Sequence, residues 1–291
     1  MQRPSFACAL KINRLLLAGL LSCMIVGSGC GRSQSTQPGR AQFDLGQKFF
    51  EGQGIPRDYA KALHWFQRSA AAGNSDAQTR IGQMYQEGVG VTQNMAEAVQ
   101  WYRQAANQGH SESQVALGVS YFEGEGVAAD DAEALKWFQK AAAAEDASGE
   151  FYVGLCHYRG AGVKRDVEQA VTWFTKSAGH GDANAQANLG VIYTKEPGRT
   201  NLTNAIAWFR KAGEQGQQEA EYRLGGFHQK GEGVPKDLVE AFKWFSLAAS
   251  HEHLFAKRAL AEVRSQMTAD QIAAGEKAFA KAVEDQKSDA E

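Results

Sequence analysis

Residues 76–109 read DAQTRIGQMYQEGVGVTQNMAEAVQWYRQAANQG, and this stretch holds the grammar of most of the chain. From Asp76 onward, Ala77, Ile81 and Tyr85 recur every four residues, which places them on one helical face. Gly82 has no side chain, so a neighbouring helix can approach closely there. Gly88-Val89-Gly90-Val91 follows. Its first glycine suits a left-handed C-terminal cap and its second a tight turn, and Val91 is placed to plug the apolar gap between two helices. Asn94 is a natural N-cap, with Glu97 three residues on. The second helix carries Ala98, Trp101, Tyr102, Ala105 and Ala106 at helical spacing and ends at Gly109.

The pattern recurs in both directions. Trp65, Trp101, Trp137, Trp173, Trp208 and Trp244 are separated by 36, 36, 36, 35 and 36 residues. An aromatic follows each (Phe66, Tyr102, Phe138, Phe174, Phe209, Phe245), and an alanine stands three residues before each. The aliphatic-Gly pair returns as Leu45-Gly46, Ile81-Gly82, Leu117-Gly118, Val153-Gly154, Leu189-Gly190 and Leu224-Gly225, and Leu260-Ala261 marks a partial seventh start. Asp58, Asn94, Asp130, Asp166, Asn201 and Asp237 are the N-caps of the second helices. The fifth unit departs: Glu196-Pro197-Gly198-Arg199-Thr200-Asn201 keeps one loop glycine, puts Arg199 at the valine position and is one residue short. Pro197 is expected to stop its first helix early.

One helix pair cannot bury its own apolar stripe, whereas stacked pairs build a continuous core. The expectation is all-α: a solenoid of stacked helix-turn-helix repeats of about 36 residues over residues 41–266. Thr268-Ala269-Asp270-Gln271 then opens a capping helix over 267–286, and 287–291 form a frayed tail. The 43% apolar and 22% charged content is that of an ordinary globular protein.

Aliphatic-Gly, Gly-x-Gly-Val, Asp and Ala-x-x-Trp in this order resemble the Sel-one-like repeat, a tetratricopeptide relative, across residues 41–266. Ordinary tetratricopeptide units have roughly 34 residues, so the longer unit favours the Sel-one-like branch. The resemblance implies a right-handed superhelix that acts as an interaction scaffold. Some secreted members carry a disulfide in each repeat, and a few are linked to β-lactam binding or hydrolysis. This chain lacks those cysteine pairs, so that chemistry does not carry over.

Residues 1–29 read as an export signal. Arg3, Lys11 and Arg14 are their only charges, and the apolar run Leu15–Val26 falls short of the roughly 20 residues a membrane span needs. Gly27-Ser28-Gly29-Cys30 resembles a lipobox, with a glycine where leucine is usual. Two readings stand: a lipoprotein acylated at Cys30, palmitate included, or an ordinary signal with an incidental cysteine. Acylation would tie the chain to the bilayer, since two or three chains anchor a protein stably. Residues 30–40 are then a lipidated N-terminus and flexible tether. Gly31 after Cys30 is not the aspartate that retains lipoproteins in the inner membrane, which points to the periplasmic face of the outer membrane in a Gram-negative cell envelope. Cleavage removes three basic and no acidic residues, taking the formal charge from −2 to −5 and leaving Cys156 as the free thiol. That balance excludes an electrostatic nucleic-acid binder.

Candidate chemistry is sparse, and neither catalytic residues nor a cofactor or metal is expected. His157 and His228 occupy the slot of Phe49, Tyr85, Tyr121 and Tyr193, which makes them packing residues. His251-Glu252-His253 has no clear third ligand for a metal. Cys156 and His157 are adjacent on a helix and do not face each other. The surface left for function lies on the first helices, opposite the core stripe, at Val115, Val119, Phe122, Phe151, Leu155 and Tyr158. It is either a groove for a protein or peptide partner or packing between repeats. Arg80, Tyr152, Asn188 and Arg223 would form its polar border. An envelope enzyme or cell-wall ligand binder is the alternative, and it predicts clustered polar residues there. The fifth unit, with Arg199 for valine and Gly213 for alanine, is expected to open first.

Overall fold

The computed structural model describes residues 39–288; the signal segment, Cys30, most of the tether and the end of the tail lie outside them. Among the described residues there are fourteen helices and no strand. The first helices of the repeats are α1 (Arg40–Glu51), α3 (Ser75–Glu87), α5 (Ser111–Glu123), α7 (Ala147–Arg159), α9 (Ala183–Lys195), α11 (Gln218–Lys230) and the shorter α13 (Ala256–Ser265). The second helices are α2 (Tyr59–Ala71), α4 (Met95–Asn107), α6 (Asp131–Ala143), α8 (Val167–Gly179), α10 (Leu202–Glu214) and α12 (Leu238–Ser250), followed by the long α14 (Ala269–Ser288). Each second helix packs on its own first helix and on that of the next repeat, giving an all-α solenoid.

The local signals act as expected. Asp58, Asn94, Asp130, Asp166, Asn201 and Asp237 each accept a backbone N–H in the first turn of their helix. Gly52, Gly88, Gly124, Gly160 and Gly231 cap first helices at φ 73–77°, a conformation that costs a residue with a side chain. The glycine of each aliphatic-Gly pair is a notch for the aromatic after tryptophan. A Cβ placed at Gly82 would lie 2.6 Å from the Tyr102 ring, at Gly118 2.5 Å from Phe138 and at Gly225 2.6 Å from Phe245. Phe66, Phe138, Phe174 and Phe209 are completely buried as a result.

Three expectations change. α9 has the same thirteen residues as α7 and α11, so Pro197 does not shorten it. Pro197 forces the preceding residue out of the helical region, but Glu196 is already the C-cap, in extended conformation, and no helical residue is lost. Arg199 does not leave a bare gap: it pairs with Glu168 of the preceding repeat, while Arg165 reaches Glu196 at 2.7 Å. Gly213 is more than a weak point in α10. The Trp244 ring would lie 3.0 Å from a Cβ there, and the Gly213 carbonyl accepts from Gln286 Nε2 at 2.9 Å.

That last contact shows how α14 closes the array. Its Gly275 sits against the Phe242 ring, and Phe279, Ala282 and Val283 pack on Trp244 and Leu247. Gln286 also donates to Glu221 at 3.1 Å. The helix therefore lies back over repeats five and six.

Candidate partner-binding face

The first helices present two different surfaces. On α5 and α7, Val115, Val119, Phe122, Phe151 and Tyr158 are half-buried. Leu155 is 8% exposed and belongs to the core built on Phe174 and Leu189. Phe122 meets Phe138 edge-on with ring centres 6.3 Å apart, and Phe151 lies 5.8 Å from Phe174. These side chains root in the core and leave their outer parts accessible. The Arg159 guanidinium lies over Phe122 and that of Arg165 over Tyr158.

The four border residues do not form one border. Tyr152 stacks on Phe138 at 4.6 Å, and burial pushes its phenol up to about 12. Arg223 lies over Phe209 and pairs with Glu219. Asn188 donates to the Asn184 carbonyl within its own helix. Only Arg80 lines a cleft, which opens between α1, α3 and α5 with a volume of about 200 Å³. Its other walls are Phe43, Asp76, Thr79, Gln83, His110 and Glu112. Arg80 donates to Gln83, Gln83 donates to Glu112 at 2.7 Å, and His110 contacts Asp76 at 3.2 Å, which holds the Asp76 carboxyl below its ordinary range.

The cleft escaped the sequence reading, as did the caps of the first helices. Asn74, His110, Asp146, Asp182 and Gln217 each accept the N–H of the third residue on. All stand nine residues after a tryptophan, so the period carried the signal.

The Sel1 repeat model matches residues 39–74, 75–110, 111–146, 147–182, 183–217 and 218–253, six consecutive units. The chain belongs to the Sel1 repeat family. A Sel1 repeat protein from Oxalobacter formigenes is 30% identical, with a TM-score of 0.70 over 75% of this chain and 87% of that one. Two immunity proteins from Pseudomonas aeruginosa, Pa5087 and PA5088, share the fold at 15% and 16% identity. Their TM-scores are 0.52 and 0.51, over 77% of this chain and 88% and 86% of theirs. A comparison with curated proteins gives no match.

Within the Sel1 repeats, two histidines tie the first helix of a unit to the end of its own second helix. Nδ1 of His180 meets Glu150 at 2.9 Å, and Nδ1 of His251 meets Glu221 at 2.9 Å. His253 turns instead to Glu219 at 3.1 Å, so His251 and His253 do not converge. Among the described residues no three His, Cys, Asp or Glu side chains are grouped to hold a metal. Cys156 is buried, and burial pushes its thiol up to about 12, a poor nucleophile.

Two histidines give the stability opposite dependences on pH. Burial holds His228 below its ordinary range, and neither ring nitrogen has a hydrogen-bond partner. The unfolded chain then binds the extra proton first, so stability is full above the ordinary histidine pKa and falls as pH drops toward the depressed one. The Glu221 carboxylate holds His251 above its ordinary range. Its contribution is full below the ordinary pKa and fades as pH rises through the raised one. His228→Tyr, which restores the usual aromatic, should flatten the acid side of a melting-temperature profile between about pH 5 and 8. His251→Gln should flatten the other side. An unchanged acid slope in His228→Tyr would remove the buried imidazole from this account.

Proposed function

We propose that this Sel1 repeat scaffold is exported, anchored to the cell envelope through acylated Cys30, and holds a protein or peptide partner on its first-helix face. Sel1 repeats mediate protein interactions. The observation that carries the reading is the half-exposed apolar group on α5 and α7, α5 being the helix whose first turn supplies Glu112 to the polar cleft. An extended segment laid across it would place apolar side chains against Val119, Phe122 and Phe151 and a polar portion beside Arg80 and Glu112. The basic start, short apolar run and Gly-Ser-Gly-Cys exit support export, toward the outer membrane facing the periplasm if the cell is Gram-negative.

A photo-crosslinking residue at Phe122 or Tyr158 in living cells, with one at exposed Gln139 on α6 as control, tests the face. One common adduct at the first two positions and none at Gln139 is expected. Equal labelling at all three, or none at Phe122 and Tyr158, would overturn the partner site. Cys30→Ser should move the protein out of the membrane fraction or leave it unprocessed, with loss of labelled palmitate. Label retained on the Cys30→Ser chain would sink the anchor.

A further inference from the structure

The array has two long rims. The glycine loops form one. On the other, second helices end and first helices begin: Ser177 Oγ donates to the Ala147 carbonyl at 2.8 Å, and Ser69 Oγ to the Gly39 carbonyl at 2.7 Å.

This second rim carries a row of cations held over tryptophan. Arg68 lies 4.9 Å from the Trp65 ring centre, Lys140 3.5 Å from Trp137, Lys176 4.4 Å from Trp173 and Lys211 4.6 Å from Trp208. None of the four pairs with a carboxylate among the described residues. Nearer the start of such helices, Lys61, Lys136 and Lys243 do pair, with Asp58, Glu133 and Glu240, and Lys243 does so while lying 4.5 Å from the Trp244 ring centre. A lysine paired with a carboxylate has its charge largely neutralised, whereas one resting on an indole face without such a partner keeps it for another anion.

Several acids of this rim are engaged by neighbours within the fold, and exposed Glu112 accepts from Gln83. Asp146 and Asp182 cap helices, and Asp76, Glu150, Glu219 and Glu221 face histidines. Glu145, Glu214 and Glu252 remain exposed at the turns. At the C-terminal end of the same rim, between α12 and α13, Leu254 and Phe255 are 72% and 55% exposed, the large hydrophobic side chains most open to solvent among the described residues.

The chain from Cys30 also meets the fold here. Gly39 is fastened to Ser69, the neighbour of Arg68. Nine residues span at most about 30 Å, so an acyl anchor on Cys30 brings the bilayer to this rim first.

We propose that this rim docks on anionic phospholipid headgroups. Arg68, Lys140, Lys176 and Lys211 meet the phosphates, and Leu254 and Phe255 enter the boundary between headgroups and acyl chains. The orientation rests on the anchor proposed above; the surface itself does not.

The test uses the unacylated chain from residue 31, which contains every helix of the closed array. Vesicles of phosphatidylglycerol with phosphatidylcholine are compared with phosphatidylcholine alone by co-sedimentation. Binding to the anionic vesicles alone, weakened by salt, is expected. R68Q/K140Q/K176Q/K211Q should lose at least about tenfold in partitioning. K48Q/K164Q/K195Q/K236Q, with the same charge change on the loop rim, should stay within about twofold. Leu254→Ser with Phe255→Ser should weaken binding severalfold at a salt concentration where the cation row is screened. Circular dichroism confirms that each variant is folded. No preference for anionic vesicles, an equal loss in the loop-rim control, or binding to soluble polyphosphate without binding to vesicles would overturn the proposal. Palmitate labelling of Cys30 in cells reads the anchor separately: loss of label with vesicle binding intact removes the anchor and leaves the surface standing.

Discussion

Gly225→Ala should destabilise the protein while Gly226→Ala, one residue on in the same helix, stabilises it. Alanine in a helix interior is worth roughly 0.5–1 kcal/mol over glycine, and Gly226 has nothing within 4 Å to oppose a Cβ. At Gly225 the new carbon would sit 2.6 Å from two atoms of the Phe245 ring, whereas carbons pack at about 3.5–4.0 Å. The ring is 2% exposed and has no free space to retreat into. Overpacking of this kind costs about 1–3 kcal/mol, which outweighs the helical gain. Gly225→Val should cost about 3 kcal/mol or more. Phe245→Leu reverses the sign: with the ring gone, Gly225→Ala should become neutral or stabilising. Urea unfolding of the four combinations measures the coupling. Equal effects of Gly225→Ala in both backgrounds would show that the aromatic does not set the need for glycine.

The loop between α9 and α10 should exchange its amide protons before the glycine loops of the second, third, fourth and sixth repeats. At Gly90 an added Cβ would lie 2.5 Å from Tyr59, and at Gly233 2.8 Å from Leu202; each loop is seated on the preceding second helix. Gly198 has nothing within 4 Å, so the fifth loop stands off its neighbour. Val91, Val127, Val163 and Val234 are partly buried in cores at their joints. The fifth joint has the pairs Arg199–Glu168 and Arg165–Glu196 instead. Solvent-exposed pairs contribute about 0–1 kcal/mol, against an upper bound of about 1.5–3 kcal/mol for a valine, which full burial alone would reach. Opening should begin at residues 191–206 and accelerate with salt, as screening weakens the pairs. The end of α10 should stay protected because α14 covers it. Ending the chain after Met267 should extend the opening through Gly213. Protection in 191–206 equal to that of the second and third repeats would refute this. Trp208→Phe should then disturb partner affinity more than Trp101→Phe, once lost stability is accounted for, if the joint bends on binding.

The array was legible because its determinants are local and periodic. Trp65 to Trp244 fix the register, and the Asp and Asn caps and glycine notches each act within one repeat. What escaped depends on two or more repeats at once. Glu112 and Arg80 meet through Gln83 across α3 and α5, and no spacing within one unit announces that contact. Gly213 read as a defect because its occupants, Trp244 and Gln286, come from 31 and 73 residues away in sequence. Tyr152 read as a polar border because its phenol is polar, yet its ring fills the joint against Phe138.

The aromatic-on-glycine contact lies wholly inside each unit, and this bears on how such a gene can change length. A recombination event that copies residues 111–146 inserts a unit already carrying its own notch (Gly118), ring (Phe138) and second-helix cap (Asp130), and the one new seam puts Asp146, a first-helix cap, before Ser111. The same event across residue 213 would separate Gln286 from the carbonyl and carboxylate it binds. Length is therefore free to drift among the early units and is fixed at the last two, where one helix spans both.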